Sequence, residues 1–173
     1  MDINRKTSYL TLLEIEKNGA YSNIELNNQI NKNEPNSPAF VRELVYGVLE
    51  NKIYLDYILD ILIPSGLRQV KTSDITILRM GIYQIAFMNS VPEYAAVNES
   101  VSMAKKFCKG RDGFINGVLR GYIKKKDTIK LPKKDEDLVG YLSIKYSFLP
   151  WIVELWISQY GAEDAEKIII IMG

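Results

Sequence analysis

ITILRMGIYQIAFMNSVPEYAAVNESVSMAKKFCKGRDGFINGVLRGYIKKK, Ile75–Lys126, reads as three successive helices. The first is seeded by Ser73 and Asp74, a cap-type hydroxyl and a first-turn acid. Its apolar positions Ile75, Leu78, Ile82, Ile85 and Ala86 recur three and four apart, which makes one stripe on a helical period. Val91-Pro92 breaks it. The second helix runs from about Glu93 to Lys109, with Val97, Val101, Ala104 and Cys108 inward, and Gly110 supplies a left-handed close. The third begins near Asp112-Gly113, carries Phe114, Ile115, Val118, Leu119, Tyr122 and Ile123 inward, and ends in Lys124, Lys125 and Lys126.

The same stretch concentrates positive charge. Lys105 to Lys134 holds eleven basic and two acidic residues, a net of +9. The whole chain has 22 basic and 21 acidic residues, so the remainder carries 11 against 19, a net of −8. An overall charge of +1 thus hides a polarised molecule. Such a cluster suits a polyanionic partner, and the plainer alternative is a lysine-rich face that serves solubility. In the third helix Asn116, Arg120 and Lys124 share a face, and Gly113, Gly117 and Gly121 run beside them at the same spacing of four. Each glycine inside a helix costs about 1 kcal/mol relative to alanine. A glycine stripe implies a close approach to the backbone, by a neighbouring helix or by a phosphate backbone.

Outward from this centre the chain stays helical. Ile3 to Lys17 forms a first helix stopped by Asn18-Gly19, with Arg5 and Lys6 at an N-terminus whose dipole opposes them. They sit there as part of a frayed end or as anion ligands. A short polar helix follows, capped by Ser22. Ser37-Pro38 opens another, whose wide apolar face (Phe40, Val41, Leu44, Val45, Val48, Leu49) predicts the central buried helix. Leu55, Ile58, Leu59 and Leu62 mark a fourth, stopped by Pro64-Ser65-Gly66. Past a linker at 127–134, charge changes sign: seven acids and two bases follow from Asp135 onward. Three more helices are expected there, ending on the apolar tetrad Ile168–Ile171, a run that predicts a longer parent protein covering it. No segment alternates with period two. The expectation is an all-α fold of about ten helices: a bundle over 1–126, a linker, and a helical appendage over 135–173.

Composition excludes several chemistries. Histidine is absent and Cys108 is the only cysteine, so disulfides, His/Cys zinc sites and His-dependent triads fall away. Cys108 lies on an apolar stripe and reads as a small buried hydrophobe. No Walker loop or GxGxxG is present, and no apolar run approaches the roughly 20 residues that span a bilayer. A cytoplasmic location, no metal and no membrane partner are expected.

Four stretches carry a resemblance: YGVLENKIYLDYIL (Tyr46–Leu59), LRMGIYQ (Leu78–Gln84), PEYAAVNESVSMAK (Pro92–Lys105) and FINGVLRGYIK (Phe114–Lys124). They resemble the NusB-type RNA-binding domain. With YSFLPWIVELWISQYG (Tyr146–Gly161) they are similar, more narrowly, to its version at the N-terminus of the bacterial 16S rRNA 5-methylcytosine methyltransferases, the RsmB or Sun family. The chain departs from the common pattern at Glu50 and Gly121, where basic residues are usual. The resemblance implies a NusB-like bundle of about seven helices that binds and positions small-subunit ribosomal RNA. It also implies a parent enzyme that uses S-adenosylmethionine in a separate catalytic domain, with no catalytic residue and no cofactor in this stretch. The alternatives are a free-standing antitermination factor of the same fold, or a structural module whose basic face packs on the catalytic domain. The expected RNA surface is Arg5, Lys6, Lys105, Lys106, Lys109, Arg111, Arg120 and Lys124.

Overall fold

The computed structural model describes residues 1–173 and contains ten α-helices and no strand. They are α1 (Ile3–Asn18), α2 (Ser22–Asn33), α3 (Pro38–Glu50), α4 (Lys52–Leu62), α5 (Thr72–Phe87), α6 (Glu93–Phe107), α7 (Asp112–Lys125), α8 (Leu138–Tyr146), α9 (Pro150–Tyr160) and α10 (Ala162–Met172). A single 3-10 turn, Lys126–Thr128, prolongs α7. The all-α expectation holds.

Local signals set most boundaries. The Asp2 side chain accepts from the Asn4 N–H and starts α1, and Gly19 closes it in the left-handed conformation at φ 65°. Ser37 Oγ accepts from the Phe40 N–H at 3.2 Å, with Pro38 at the first helical position. Two expected caps are corrected. Ser22 lies inside α2, whose cap residue Tyr21 makes no side-chain cap bond. Ser73 and Asp74 lie inside α5, which begins at Thr72, and Asp74 is buried rather than capping.

The central helix is α5, not α3. Its residues Thr76 to Gln84 are all buried, so it is covered around its whole circumference by α1, α3, α4, α6 and α7. Burial extends to polar side chains because each finds a partner. Arg79 donates from Nε to Asp56 Oδ1 at 2.7 Å and from Nη2 to Asp56 Oδ2 at 2.9 Å, a bidentate pair, and from Nη1 to Glu16 at 3.0 Å. Burial alone would raise the Glu16 carboxyl; Lys52 and Arg79 outweigh it and hold the group below its ordinary range. Gln84 Nε2 donates to the Met80 carbonyl, and Gln84 Oε1 accepts from Arg5 Nε at 2.6 Å.

Two glycines let helices close on α5. An added Cβ at Gly47 of α3 would lie 2.0 Å from Tyr83 Cζ, so only glycine lets that ring cross the helix. At Gly81 a Cβ would meet the Leu119 methyls at 2.8 Å and Ser100 Oγ at 3.1 Å. Both glycines lie in the quoted motifs, which are therefore largely packing motifs.

The core is one cluster of 25 buried residues drawn from α1 to α7 and the turns between them. A second, separate cluster of three, Leu142, Val153 and Ile169, joins α8, α9 and α10. The two parts meet where Ser147 Oγ accepts from the Tyr54 N–H and where Tyr57 Oη donates to the Lys130 carbonyl at 2.6 Å. The tetrad Ile168–Ile171 splits: Ile169 is fully buried in the small cluster while Ile171 is 82% exposed. No helix is long and apolar enough to cross a membrane.

Candidate nucleic-acid interface

α6 and α7 form an antiparallel hairpin on the outside of the bundle, joined by Cys108–Arg111, with Gly110 at φ 79°. Their inward faces are fixed by the core: Ala96, Val97, Ser100, Met103 and Ala104 on α6, and Ile115, Val118, Leu119 and Tyr122 on α7. Helical geometry then directs the remaining positions outward. Along α7 the face opposite the core carries Gly113, Gly117, Arg120 and Lys124, all exposed.

Nothing in the fold approaches the glycine stripe. A Cβ placed on Gly113, Gly117 or Gly121 meets no atom within 4 Å. The neighbouring-helix explanation for these residues is thereby overturned: α6 and α5 contact the other side of α7. The molecule bears a helix-propensity cost of about 1 kcal/mol at each glycine without an internal packing reason.

The eleven cations of the basic window divide into two groups. Four are ion-paired: Arg111 Nε with Asp74 Oδ2 at 2.9 Å, Lys126 with Glu93 at 3.0 Å, Lys133 with Glu136 at 3.8 Å and Lys134 with Glu166 at 2.5 Å. The other seven, Lys105, Lys106, Lys109, Arg120, Lys124, Lys125 and Lys130, are exposed and have no carboxylate partner. Lys105, Lys106 and Lys109 gather at the hairpin turn, and Lys124 and Lys125 at its far end, about 20 Å away at 1.5 Å per residue. Arg120 lies between them. Its Nε donates to Asn116 Oδ1 at 2.9 Å within its own helix, which leaves the rest of the guanidinium facing solvent.

The eight expected residues are not brought together as one set. Lys105, Lys106, Lys109, Arg120 and Lys124 share the outer side of the hairpin. Lys6 is half-buried on α1, on the flank that runs beside α6, as the Asp2 N–H to Glu99 bond and the Tyr9–Phe107 ring contact of 4.9 Å show. Arg5 lies apart from the exposed wall. Its side chain is 11% exposed, paired with Asp2, bonded to Gln84 and stacked on Phe40 at 5.1 Å, so it serves the interior. Arg111 is half-exposed, and its charge is engaged by the buried Asp74 carboxylate and the Phe114 ring at 4.2 Å. Lys125 and Lys130 join the unpaired cations and were not among the eight; their signal was the unbroken lysine run at the end of α7.

Cys108 is 5% exposed. Burial, reinforced by Asp74, pushes its thiol up to about 11, the opposite of what an attacking thiolate needs. The two largest clefts lie away from the hairpin. One, of about 440 Å³, separates the α3–α4 junction from the α8–α9 turn; the other lies against Lys134, Leu138 and Glu166.

A ten-helix bundle wrapped on a polar-studded central helix, with a cationic hairpin outside, defines the class of the molecule. The chain belongs to the NusB family, whose model matches residues 2–124. It is 40% identical over 162 residues to the probable ribosomal RNA small subunit methyltransferase B of Bacillus subtilis (strain 168), covering 91% of this chain and 35% of that protein. It is 29% identical over 167 residues to the protein of the same name from Synechocystis sp., covering 95% of this chain and 37% of that one. It is 33% identical over 122 residues to the transcription antitermination protein NusB of Levilactobacillus brevis, covering 66% of this chain and 86% of that one. The chain thus spans about a third of the length of its methyltransferase relatives.

Proposed function

We propose that this chain is the RNA-binding, substrate-positioning domain of an S-adenosylmethionine-dependent cytosine-5 methyltransferase acting on small-subunit ribosomal RNA. The observation that carries the proposal is the outer face of the α6–α7 hairpin, where seven exposed cations without carboxylate partners flank a glycine stripe that nothing internal fills. Unpaired lysines and arginines contact phosphates, and exposed helix backbone lets a phosphate backbone come close. Residues 1–126 form the RNA-binding unit, 127–134 the linker, and 135–173 a helical bridge. The methyltransferase reading is preferred to a free-standing antitermination factor because methyltransferase relatives match 91–95% of the chain, α8 to α10 included, against 66% for the NusB protein described above.

The residues present do not fit S-adenosylmethionine or its chemistry. The one thiol is buried with a raised pKa, and the all-helical chain has no strand ends to cradle a nucleoside. Methyl transfer belongs to a catalytic domain in cis, and the cytoplasm is where ribosomal RNA meets it. Trp151 (61% exposed), Leu155, Ile170 and Ile171 on α9 and α10 offer an apolar surface of the kind a partner domain covers.

The test is a filter-binding titration of the chain with small-subunit rRNA fragments at low and moderate salt, beside a Gly113→Ala/Gly117→Ala/Gly121→Ala variant. The wild-type chain binds, and binding weakens steeply with salt. The variant binds more weakly although its helix is more stable by up to about 1 kcal/mol per site. Equal affinity of the two proteins removes the glycine stripe from the interface, and no binding at either salt removes the RNA reading.

A further inference from the structure

Tyr94 is 71% exposed in the first turn of α6. The other exposed large hydrophobic side chains lie on α2, α4, the end of α5, α9, α10 and the chain terminus, so Tyr94 is the one aromatic ring on the cationic hairpin. Its position is set by the ion pair between Glu93 and Lys126 at 3.0 Å, which pins the start of α6 to the end of α7. In an antiparallel pair each step forward on α6 is a step back on α7, so Tyr94 is level with Lys125 and next to Lys124. Asn98, five residues on from Glu93, is level with Gly121, five back from Lys126, and so lies beside Arg120. Leu119 and Ser100, both closing on Gly81, fix the same register from the inside. Tyr94, Asn98 and Lys105, spaced by four and seven, share the outward side of α6.

We propose that Tyr94 is a stacking platform for an unpaired base of the bound RNA, with Asn98 and Arg120 beside the ring to meet the base edge and Lys124 and Lys125 to hold the adjoining phosphates. The proposal rests on the RNA-binding reading above and deepens it: the ligand is single-stranded. An aromatic ring flanked by cations is the arrangement that takes up splayed bases, because every base has a face to stack and every linkage a charge to pair. The Asn116–Arg120 hydrogen bond orients the guanidinium without consuming its charge.

Affinity for an oligoadenylate of about a dozen nucleotides and for a fully paired RNA hairpin of similar length tests it. The wild-type chain is compared with Tyr94→Ala and Tyr94→Phe across a salt series. Tyr94→Ala lowers affinity for the single strand about tenfold, the loss of one base–aromatic stack, with the salt slope unchanged. Tyr94→Phe keeps the wild-type affinity, and hairpin binding is the same in all three proteins. If the wild-type chain binds the oligoadenylate and Tyr94→Ala binds it equally well, the stacking platform is overturned while the RNA-binding reading stands. An equal loss on the paired hairpin also overturns it, because the ring would then act on shape. If the wild-type chain binds neither RNA, the broader reading fails and takes this one with it.

Discussion

Reversing three charges at the hairpin turn, Lys105→Glu/Lys106→Glu/Lys109→Glu, should abolish most RNA binding while leaving the bundle folded. All three side chains are exposed and none has an ionic partner, so the substitutions break no contact within the fold. Each lost phosphate contact removes about 0.7 from the salt slope on a single strand, so three remove about 2. At low salt that corresponds to a loss of roughly a hundredfold or more, before any repulsion by the new glutamates is counted. Circular dichroism and a denaturant midpoint confirm the fold, and filter binding reads the affinity. Unchanged affinity would leave the basic surface to another task, such as packing on an acidic domain.

The largest expected effect on stability comes from Gly47→Ala. In an ordinary helix the change gains about 1 kcal/mol. Here the new Cβ would sit 2.0 Å from Tyr83 Cζ and 2.2 Å from its hydroxyl oxygen, with the ring held against Phe87 at a centroid distance of 5.2 Å. The ring has to leave its place, and overpacking of this kind costs about 3 kcal/mol. A net destabilisation of about 2 kcal/mol follows, read as a lower midpoint in urea. In a Tyr83→Ala background the same substitution should turn mildly stabilising, because the obstruction is gone and the propensity gain remains. A loss of equal size in both backgrounds would show that the ring is not the cause.

What the sequence disclosed, and what it hid, follows one physical distinction. Local signals were readable: Asp2, Ser37-Pro38, Gly19 and Gly110 act through their own turn, and they mark helix ends where expected. The identity of the central helix was not. α3 looked more apolar, yet α5 is the enclosed helix because its Arg79 and Gln84 are buried with partners 23, 63 and 79 positions away. Periodicity assigns a polar side chain to the surface, and a distant ion pair leaves no local trace. Arg5 was misplaced on the same account, since a cation near a helix start looks free until Asp2, Gln84 and Phe40 close round it.

The interface was legible in part for a related reason. Unpaired cations and glycines are features of what is absent around a residue. The stripe Gly113–Gly117–Gly121 was visible as spacing, but only the fold could show that no neighbouring helix fills it. Tyr94 was missed because a lone aromatic in a polar turn carries no pattern of its own. Its meaning depends on α7 bringing Lys124, Lys125 and Arg120 alongside. The resemblance motifs could not locate the contacts either, since Gly47, Gly81, Ile115, Val118 and Leu119 are there to pack.

The central claim is that RNA lies along the outer face of the α6–α7 hairpin. Amide chemical shifts of the nitrogen-labelled chain, followed during titration with rRNA fragments, test it most directly. The largest shifts should fall on Gly113, Gly117, Gly121 and the residues around Lys105 to Lys109, with α9 and α10 undisturbed; shifts confined to α8–α10, or unmoved resonances at all three glycines under saturating RNA, would contradict it.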